Sequence, residues 1–144
     1  MEFDPTTYLH TFSREVYLYE TDAFGHANSV SFCAYLESAR LDFLKQLEFF
    51  DPKDVLSLPI ILARLECDYK EIAHYNDKLT IYTKVADIGT SSFTLEHIFV
   101  REEDGAIIAE GRVVLVAFDY GHNRPLPIPD EWREKLKHYH GLPK

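Results

Sequence analysis

The sequence predicts an α+β protein in which one antiparallel sheet wraps around a single long helix. Apolar residues recur at helical spacing over residues 29–48, and four β-rich segments then follow without an intervening helix. Consecutive strands favour antiparallel pairing, and both the sheet and so apolar a helix need a face to bury. A sheet wrapped around the helix satisfies both requirements.

The elements follow in the order strand, long helix, four strands and short helix. β-forming residues predict the first strand over 13–19, and a polar turn from Glu20 to Asn28 leads into the helix. Asn28 is a suitable helix N-cap, and the Asp51-Pro52 step ends the helical region. The later strands are predicted over 60–71, 78–87, 91–102 and 106–119, and the short amphipathic helix over 130–139.

The long helix is predicted to be buried on most sides, because Cys33 and Leu41 extend the apolar face that Phe32, Tyr35 and Leu36 define. One helix cannot cover both faces of the sheet, so we expect the protein to oligomerise by sheet continuation or by face packing. The whole chain, 1–144, is predicted to be one domain. Within it, we expect residues 1–11 to form a loose arm and residues 130–144 to form the short helix and a tail.

Size and charge restrict the class of function. The chain has 144 residues, of which 46% are hydrophobic, and a formal net charge of −9, which argues against binding to nucleic acid or to an anionic membrane. No signal-peptide pattern and no membrane-spanning apolar run occurs, so we predict a cytoplasmic protein. Cys33 and Cys67 are expected to be buried free thiols. The Cys and His spacings do not fit zinc, and we predict neither a metal site nor a cofactor.

Functional groups are concentrated in the turn before the helix, where Glu20, Asp22, His26 and Asn28 lie within nine residues. A helix N-terminus offers unpaired N–H groups and a partial positive charge. If the turn folds back, a carbonyl oxygen bound at these N–H groups would face the Asp22 carboxylate, which suits acyl transfer to water. A thioester fits so sparse a site, because its thiolate leaving group needs no strong general acid.

Two segments together carry a specific motif. Residues 20–28, ETDAFGHAN, and residues 35–40, YLESAR, resemble the (D/E)TDAxGHVNN…Y…E.AR pattern of the 4-hydroxybenzoyl-CoA thioesterase-like acyl-CoA thioesterases. The turn 88–93, IGTSSF, resembles a further family motif, and the likeness extends over about residues 12–132. Ala27, Ser29 and Asn76 stand where that family commonly has Val, Asn and Gly.

The resemblance implies a hotdog fold, a homodimer often assembled into tetramers, and active sites at the subunit interface. It implies an acyl-CoA substrate, places the catalytic aspartate at Asp22 and places the oxyanion-binding backbone N–H near Ser29. We expect Asp22 to act as nucleophile or as general base, His26 to orient the loop and Asn28 to cap the helix. The predicted substrate-binding residues are Phe24, Gly25, Glu37, Ser91 and Ser92, the two serines acting from a partner subunit.

Several assignments stay open at this point. Gly25 is needed either for a positive φ or for close approach of a ligand, and Glu37 either pairs with Arg40 or lines the pocket. Glu20 is either a solvated charge or a supporting group for the site. Lys70, Lys84 and Arg101 are equivalent candidates for the CoA phosphates. A hotdog acyl-thioester hydratase or dehydratase and a non-catalytic acyl-CoA-binding module are the alternative functions.

Overall fold

Alternating apolar and polar residues form an antiparallel sheet that curls around helix α1 in the computed structural model, which describes residues 3–140. This confirms the predicted α+β hotdog architecture. The elements are β1 His10–Glu15, α1 Ser29–Gln46, β2 Ile60–Tyr69, β3 Lys78–Ile88, β4 Ser92–Arg101, β5 Ile107–Asp119, β6 Arg124–Pro125 and α2 Asp130–His138.

The start of the chain differs from the prediction. Strand β1 begins at His10 and ends at Glu15, and Leu18–Glu20 form a short 3₁₀ turn instead of continuing the strand. The turn forms because the Glu20 carboxylate accepts a hydrogen bond from the Tyr17 N–H at 2.9 Å. Residues 5–7 form another 3₁₀ turn, and Thr7 is buried, so a loose arm reaching to residue 11 is wrong. Residues 1 and 2 of that predicted arm lie outside the described residues.

The sheet has the strand order β1-β3-β4-β5-β2, with β6 paired to β5. Strands β1 and β2 are therefore the edges of the main path. Strand β2 pairs with β5 along one side, and most of its residues are exposed, including Ile61 at 38% and Leu62 at 40%. An exposed apolar edge strand is a template for pairing with another chain.

Helix α1 packs against the concave face of the sheet. Gly111 of β5 allows the closest approach, since a Cβ there would lie 2.6 Å from Leu36 Cδ2. The prediction that the helix is buried on most sides is wrong, because the sheet contacts one side only. The opposite side, with Val30, Cys33, Ala34 and Glu37, is exposed. Cys33 is thus not a buried thiol, and Cys67 is only partly buried.

A buried polar row crosses the core beneath the helix. His10, Thr83 and His97 lie side by side on β1, β3 and β4, and each is at most 2% exposed. Thr83 Oγ1 lies 2.8 Å from His97 Nδ1, and His10 Nε2 lies 2.8 Å from Asp42 Oδ2 on α1. This row separates an apolar cluster around Tyr35 from one around Phe43 and the C-terminal part of the helix.

Helix α2 covers the C-terminal end of α1. Trp132 stacks on Phe49 with ring centroids 4.3 Å apart, and Leu136 is fully buried. The short helix is thus present over nearly the predicted range, whereas the predicted tail over 141–144 lies outside the described residues. Within residues 3–140, no helix has both the length and the apolar character needed to cross a bilayer.

Candidate active site

The turn between β1 and α1 forms a closed loop. Its base is fixed where the Asn28 N–H donates to the Glu20 carbonyl at 3.1 Å, and Thr21 and Ala27 form an isolated bridge above it. The Asp22 N–H donates to the His26 carbonyl at 2.8 Å. Gly25 at the tip has a φ of 74°, and an added Cβ would meet nothing within 4 Å. The conformation, and not close packing within the chain, therefore favours glycine there.

The carboxylate of Asp22 is exposed and held in one orientation by its own loop. Oδ1 accepts hydrogen bonds from the Phe24 N–H at 2.9 Å and the His26 N–H at 3.2 Å. The bond from Phe24, helped by that from His26, lowers the pKa of Asp22 below its ordinary value. Asp22 is therefore ionised at neutral pH, and in the described part of the chain no protein group donates a hydrogen bond to Oδ2.

The N-terminus of α1 presents free hydrogen-bond donors beside this loop. Asn28 caps the helix, with its Oδ1 accepting from the Ser31 N–H at 2.8 Å. Within the described residues, the N–H groups of Ser29 and Val30 donate to no protein acceptor, and both residues are exposed. Unpaired N–H groups at the positive end of a helix dipole form a site for a developing oxyanion.

The connection between β2 and β3 braces the loop from outside. The Ala27 N–H donates to the Ala73 carbonyl at 2.8 Å, and the rings of His26 and His74 pack edge to face with centroids 5.2 Å apart. His26 thus supports the loop through its ring packing on His74 and its main-chain bonds to Asp22. Asn76 in this connection has a φ of 70°, a left-handed conformation that Asn tolerates.

Glu20 is a member of this region whose role the sequence left open. It is 6% exposed, so it is not a solvated charge. Its carboxylate forms an ion pair with Arg14 and accepts a hydrogen bond from Tyr35 Oη at 3.0 Å. These partners come from β1 and α1, and no sequence spacing links them. The acidic position at the start of the ETD motif is the only signal that could have identified it.

A model of the thioesterase-like superfamily matches residues 16–136. The chain belongs to this superfamily. Long-chain acyl-CoA thioesterase FadM of Escherichia coli is 25% identical over 119 residues, which are 83% of this chain and 90% of FadM. The resemblance identified from the sequence motifs is therefore confirmed.

Two solved structures of thioesterases have a similar fold. A predicted thioesterase from Bacillus stearothermophilus is 30% identical, covers 93% of this chain and 98% of its own, and superposes with a TM-score of 0.84. A thioesterase from Thermus thermophilus, complexed with coenzyme A and zinc, is 27% identical with a TM-score of 0.81, and the match covers 95% and 98% of the two chains. These comparisons agree with the prediction of a thioester hydrolase.

In the present protein, Glu37 and Arg40 lie two to three turns after the start of α1. Glu37 Oε2 is 3.6 Å from Arg40 Nη2, but the Glu37 side chain is 62% exposed and that of Arg40 only 12%. Burial lowers the pKa of Arg40, and the Glu37 charge opposes that shift. Only one member of the pair is buried, so Glu37 is free to face a ligand or a partner chain.

Ser91 and Ser92 do not meet Asp22 within one chain. Ser91 lies in the turn between β3 and β4, and Ser92 is the first residue of β4. The segment that leads into α2 lies beside them, since the Ile128 N–H donates to the Thr90 carbonyl at 2.9 Å. Arg133 of α2 donates from Nη2 to the Gly89 carbonyl at 3.0 Å. The turn therefore lies at the end of the sheet where α1 finishes, opposite the Asp22 loop.

The structure distinguishes the three basic candidates for the CoA phosphates. Arg101 is paired with Asp77, Asp104 and Glu71. Lys84 lies 4.0 Å from Glu96 and 4.8 Å from the centre of the Tyr8 ring. Lys70 is exposed at the end of β2, next to Tyr69, whose hydroxyl donates to the Ser29 carbonyl at 3.3 Å. Of the three, only Lys70 directly follows a residue, Tyr69, that is hydrogen-bonded to the first turn of α1.

No group of three or more His, Cys, Asp or Glu side chains in the described part of the chain is arranged to hold a metal ion.

Proposed function

We propose that this protein hydrolyses acyl-CoA thioesters to a free acid and CoA. One observation carries the proposal: a single nine-residue loop joins an ionised, exposed carboxylate at Asp22 to the unpaired N–H groups at the start of α1. Acyl transfer to water needs a nucleophile or base on one side of the carbonyl carbon and an oxyanion site for its oxygen.

In this mechanism the thioester oxygen accepts hydrogen bonds from the N–H groups of Ser29 and Val30. Asp22 then acts through Oδ2, because Oδ1 is occupied by the loop. It either attacks the carbonyl carbon to form a mixed anhydride, which water hydrolyses, or removes a proton from a water molecule that attacks. In both routes the C–S bond breaks, and CoA leaves as a thiolate that takes up a proton from solvent.

We propose a homodimer formed by pairing of the β2 edge with its counterpart in a second copy. The exposed edge with Ile61 and Leu62 supports this arrangement. Two-fold antiparallel pairing reverses the direction of the partner's sheet. The partner's turn with Ser91 and Ser92 then comes to the end of the sheet where Asp22 lies, so the serines can contact substrate across the interface.

The exposed face of α1 offers a course for the acyl group. Val30 is 75% exposed, and Cys33 and Ala34 continue the same face one turn later, before Glu37 introduces a charge. Phe24 is 81% exposed near the tip of the same loop, and we assign its ring to contact with the CoA portion. We assign Lys70 to the CoA phosphates, because it alone among the three candidates has no opposing carboxylate in the described residues.

The test is thiol release from a panel of short-chain, long-chain and aryl-CoA thioesters, measured together with the absorbance of an enoyl-CoA. We expect steady release of CoA from at least one member of the panel. Tight binding of acyl-CoA without thiol release would instead identify a binding module, and loss of enoyl absorbance without thiol release would identify a hydratase. Labelled water oxygen entering the enzyme in a single turnover would identify Asp22 as the nucleophile.

A further inference from the structure

Glu20 is a buried carboxylate that is hydrogen-bonded and ion-paired to other residues of the chain. It accepts hydrogen bonds from the Tyr17 N–H at 2.9 Å and from Tyr35 Oη at 3.0 Å, and it is paired with Arg14. Burying a charge is costly unless it is paired and hydrogen-bonded, and these partners meet that condition. The ion pair between Glu20 and Arg14 is therefore a buried structural contact, unlike an ion pair on the surface.

Aromatic rings enclose the other half of the ion pair. The Arg14 guanidinium lies 4.6 Å from the centre of the Tyr35 ring and 5.2 Å from that of Tyr17. Burial, and then the charge of Glu20, raises the pKa of Tyr35 above its ordinary value. Tyr35 consequently keeps its proton at neutral pH and remains a hydrogen-bond donor to Glu20.

The main chain of Glu20 is bound to the same helix as its side chain. Its carbonyl accepts from the Asn28 N–H at 3.1 Å and from Ser31 Oγ at 2.9 Å. Ser31 and Tyr35 are four residues apart and so lie on the same face of α1. Glu20 is thus attached to the helix at two successive turns, and Asp22 follows only two residues later.

From this geometry we infer that Glu20 is the positioning residue that sets the Asp22 carboxylate relative to the N–H groups of Ser29 and Val30. The inference rests on the proposed thioesterase function. The Asp22 carboxylate and the N–H groups of Ser29 and Val30 are then both fixed to helix α1, because Glu20 attaches the start of the loop to that helix. A displacement of about 1 Å in such a site can lower the rate about 100-fold.

A second polar link between β1 and α1 offers a matched control. His10 Nε2 contacts Asp42 Oδ2 at 2.8 Å, and neither residue touches the loop. Both links join the same two elements, but only the one through Glu20 includes a residue of the catalytic loop. Equal losses of stability with unequal losses of activity would separate positioning from simple support of the fold.

The experiment compares Glu20→Gln with Asp42→Asn on the preferred acyl-CoA. We expect Glu20→Gln to lower kcat about 10- to 100-fold with KM changed less than about 3-fold, and Asp42→Asn to change kcat less than about 2-fold. In an Asp22→Asn background, Glu20→Gln should reduce the residual rate less than about 2-fold, because its effect passes through Asp22. If Glu20→Gln does not fold, Tyr35→Phe, which removes only the hydroxyl contact, replaces it, with an expected loss of about 3- to 10-fold in kcat.

Amide hydrogen exchange supplies a readout that needs no activity. The N–H groups of Phe24 and His26 are bonded to Asp22 Oδ1, so Glu20→Gln should speed their exchange at least about 10-fold while Asp42→Asn leaves it unchanged. Equal exchange and equal kcat in the two variants, or fully multiplicative losses with Asp22→Asn, would overturn the inference. If the wild-type protein releases no CoA, the proposed function fails, and the exchange data alone still decide the role of Glu20.

Discussion

The two ends of helix α1 differ in whether the protein itself satisfies their backbone hydrogen-bonding groups. At the C-terminal end, α2 covers the helix: Lys135 Nζ donates to the Leu47 carbonyl at 2.8 Å, and Trp132 stacks on Phe49. At the N-terminal end, in the part of the chain that is described, Ser29 and Val30 keep their N–H groups free. The protein satisfies one end of the helix with its own residues and leaves the other available to a ligand.

A second comparison shows why local geometry alone does not make a site. Asp119, the last residue of β5, accepts hydrogen bonds from the Gly121 and His122 N–H groups of the following turn at 2.9 and 3.2 Å, as Asp22 does from Phe24 and His26. Its pKa is lowered as well, first by the His122 side chain. What distinguishes Asp22 is therefore the open end of α1 beside it, and not its turn.

We expect the largest effect on kcat from a substitution of Asp22, and the matching substitution of Asp119 tests whether the two aspartates differ. Asp22→Asn keeps an oxygen that can accept from the loop N–H groups but removes the proposed nucleophile or base, so we expect kcat to fall about 1,000-fold with little change in stability. Steady-state CoA release and thermal unfolding measure the two effects. Asp119→Asn, the matched control, should change kcat less than about 2-fold. Near-normal turnover in Asp22→Asn would remove the basis of the proposed mechanism.

At the covered end, we expect the opposite result. Trp132→Ala removes the ring stacked on Phe49 and should lower the free energy of unfolding by about 3 kcal/mol. Denaturant unfolding gives this value, and kcat measured well below the midpoint temperature should be unchanged. A large loss of kcat in the folded variant would show that the two ends are coupled through the helix.

The polar row between the two ends predicts how stability depends on pH. Burial, with the charges of Arg40 and His10, lowers the pKa of His97 to about 3. His97 therefore stays neutral in the folded state while the unfolded chain takes up a proton near its ordinary pKa, and stability falls as the pH drops below about 6.5. The loss from this group should reach about 2 kcal/mol at about pH 5.

His97→Gln should flatten this acid dependence, because glutamine does not titrate and can still bond to Thr83. Denaturant unfolding at a series of pH values measures the slope. The matched control is His140→Gln, at an exposed position, which should leave the slope as it is in the parent protein. An unchanged slope in His97→Gln would mean that other groups govern acid unfolding.

The smallest expected effects compare the two helix caps. Asn28→Ala removes the bond to the Ser31 N–H, and Lys135→Met removes the bond to the Leu47 carbonyl; each should cost about 1 kcal/mol of stability. Only Asn28→Ala should also lower kcat, by about 5-fold, because it loosens the helix end that we propose to bind the oxyanion. Equal kcat in both variants would indicate that the N-terminal cap acts on stability alone.

Local patterns made most of the elements predictable. Alternation along β3 and β4 and the apolar period of α1 appear in the structure within a few residues of the predicted bounds. The turn before α1 could also be predicted from the sequence, because Gly25 and Asn28 have strong local preferences for positive φ and for helix capping. The start of β1 was not predictable from local patterns, since buried His10 pairs with Thr83, more than 70 residues away in the chain.

Taken by itself, the sequence determined the kind of fold and the loop in which Asp22 lies, because periodicity, capping and turn preferences act between neighbouring residues. Only the tertiary structure decided which side of α1 is covered, that Glu20 is buried, and that the serines of the β3–β4 turn lie at the far end of the sheet from Asp22. Those outcomes depend on how distant strands pack against one helix. The burial of a charge such as Glu20 follows from partners that the chain brings together only when it folds.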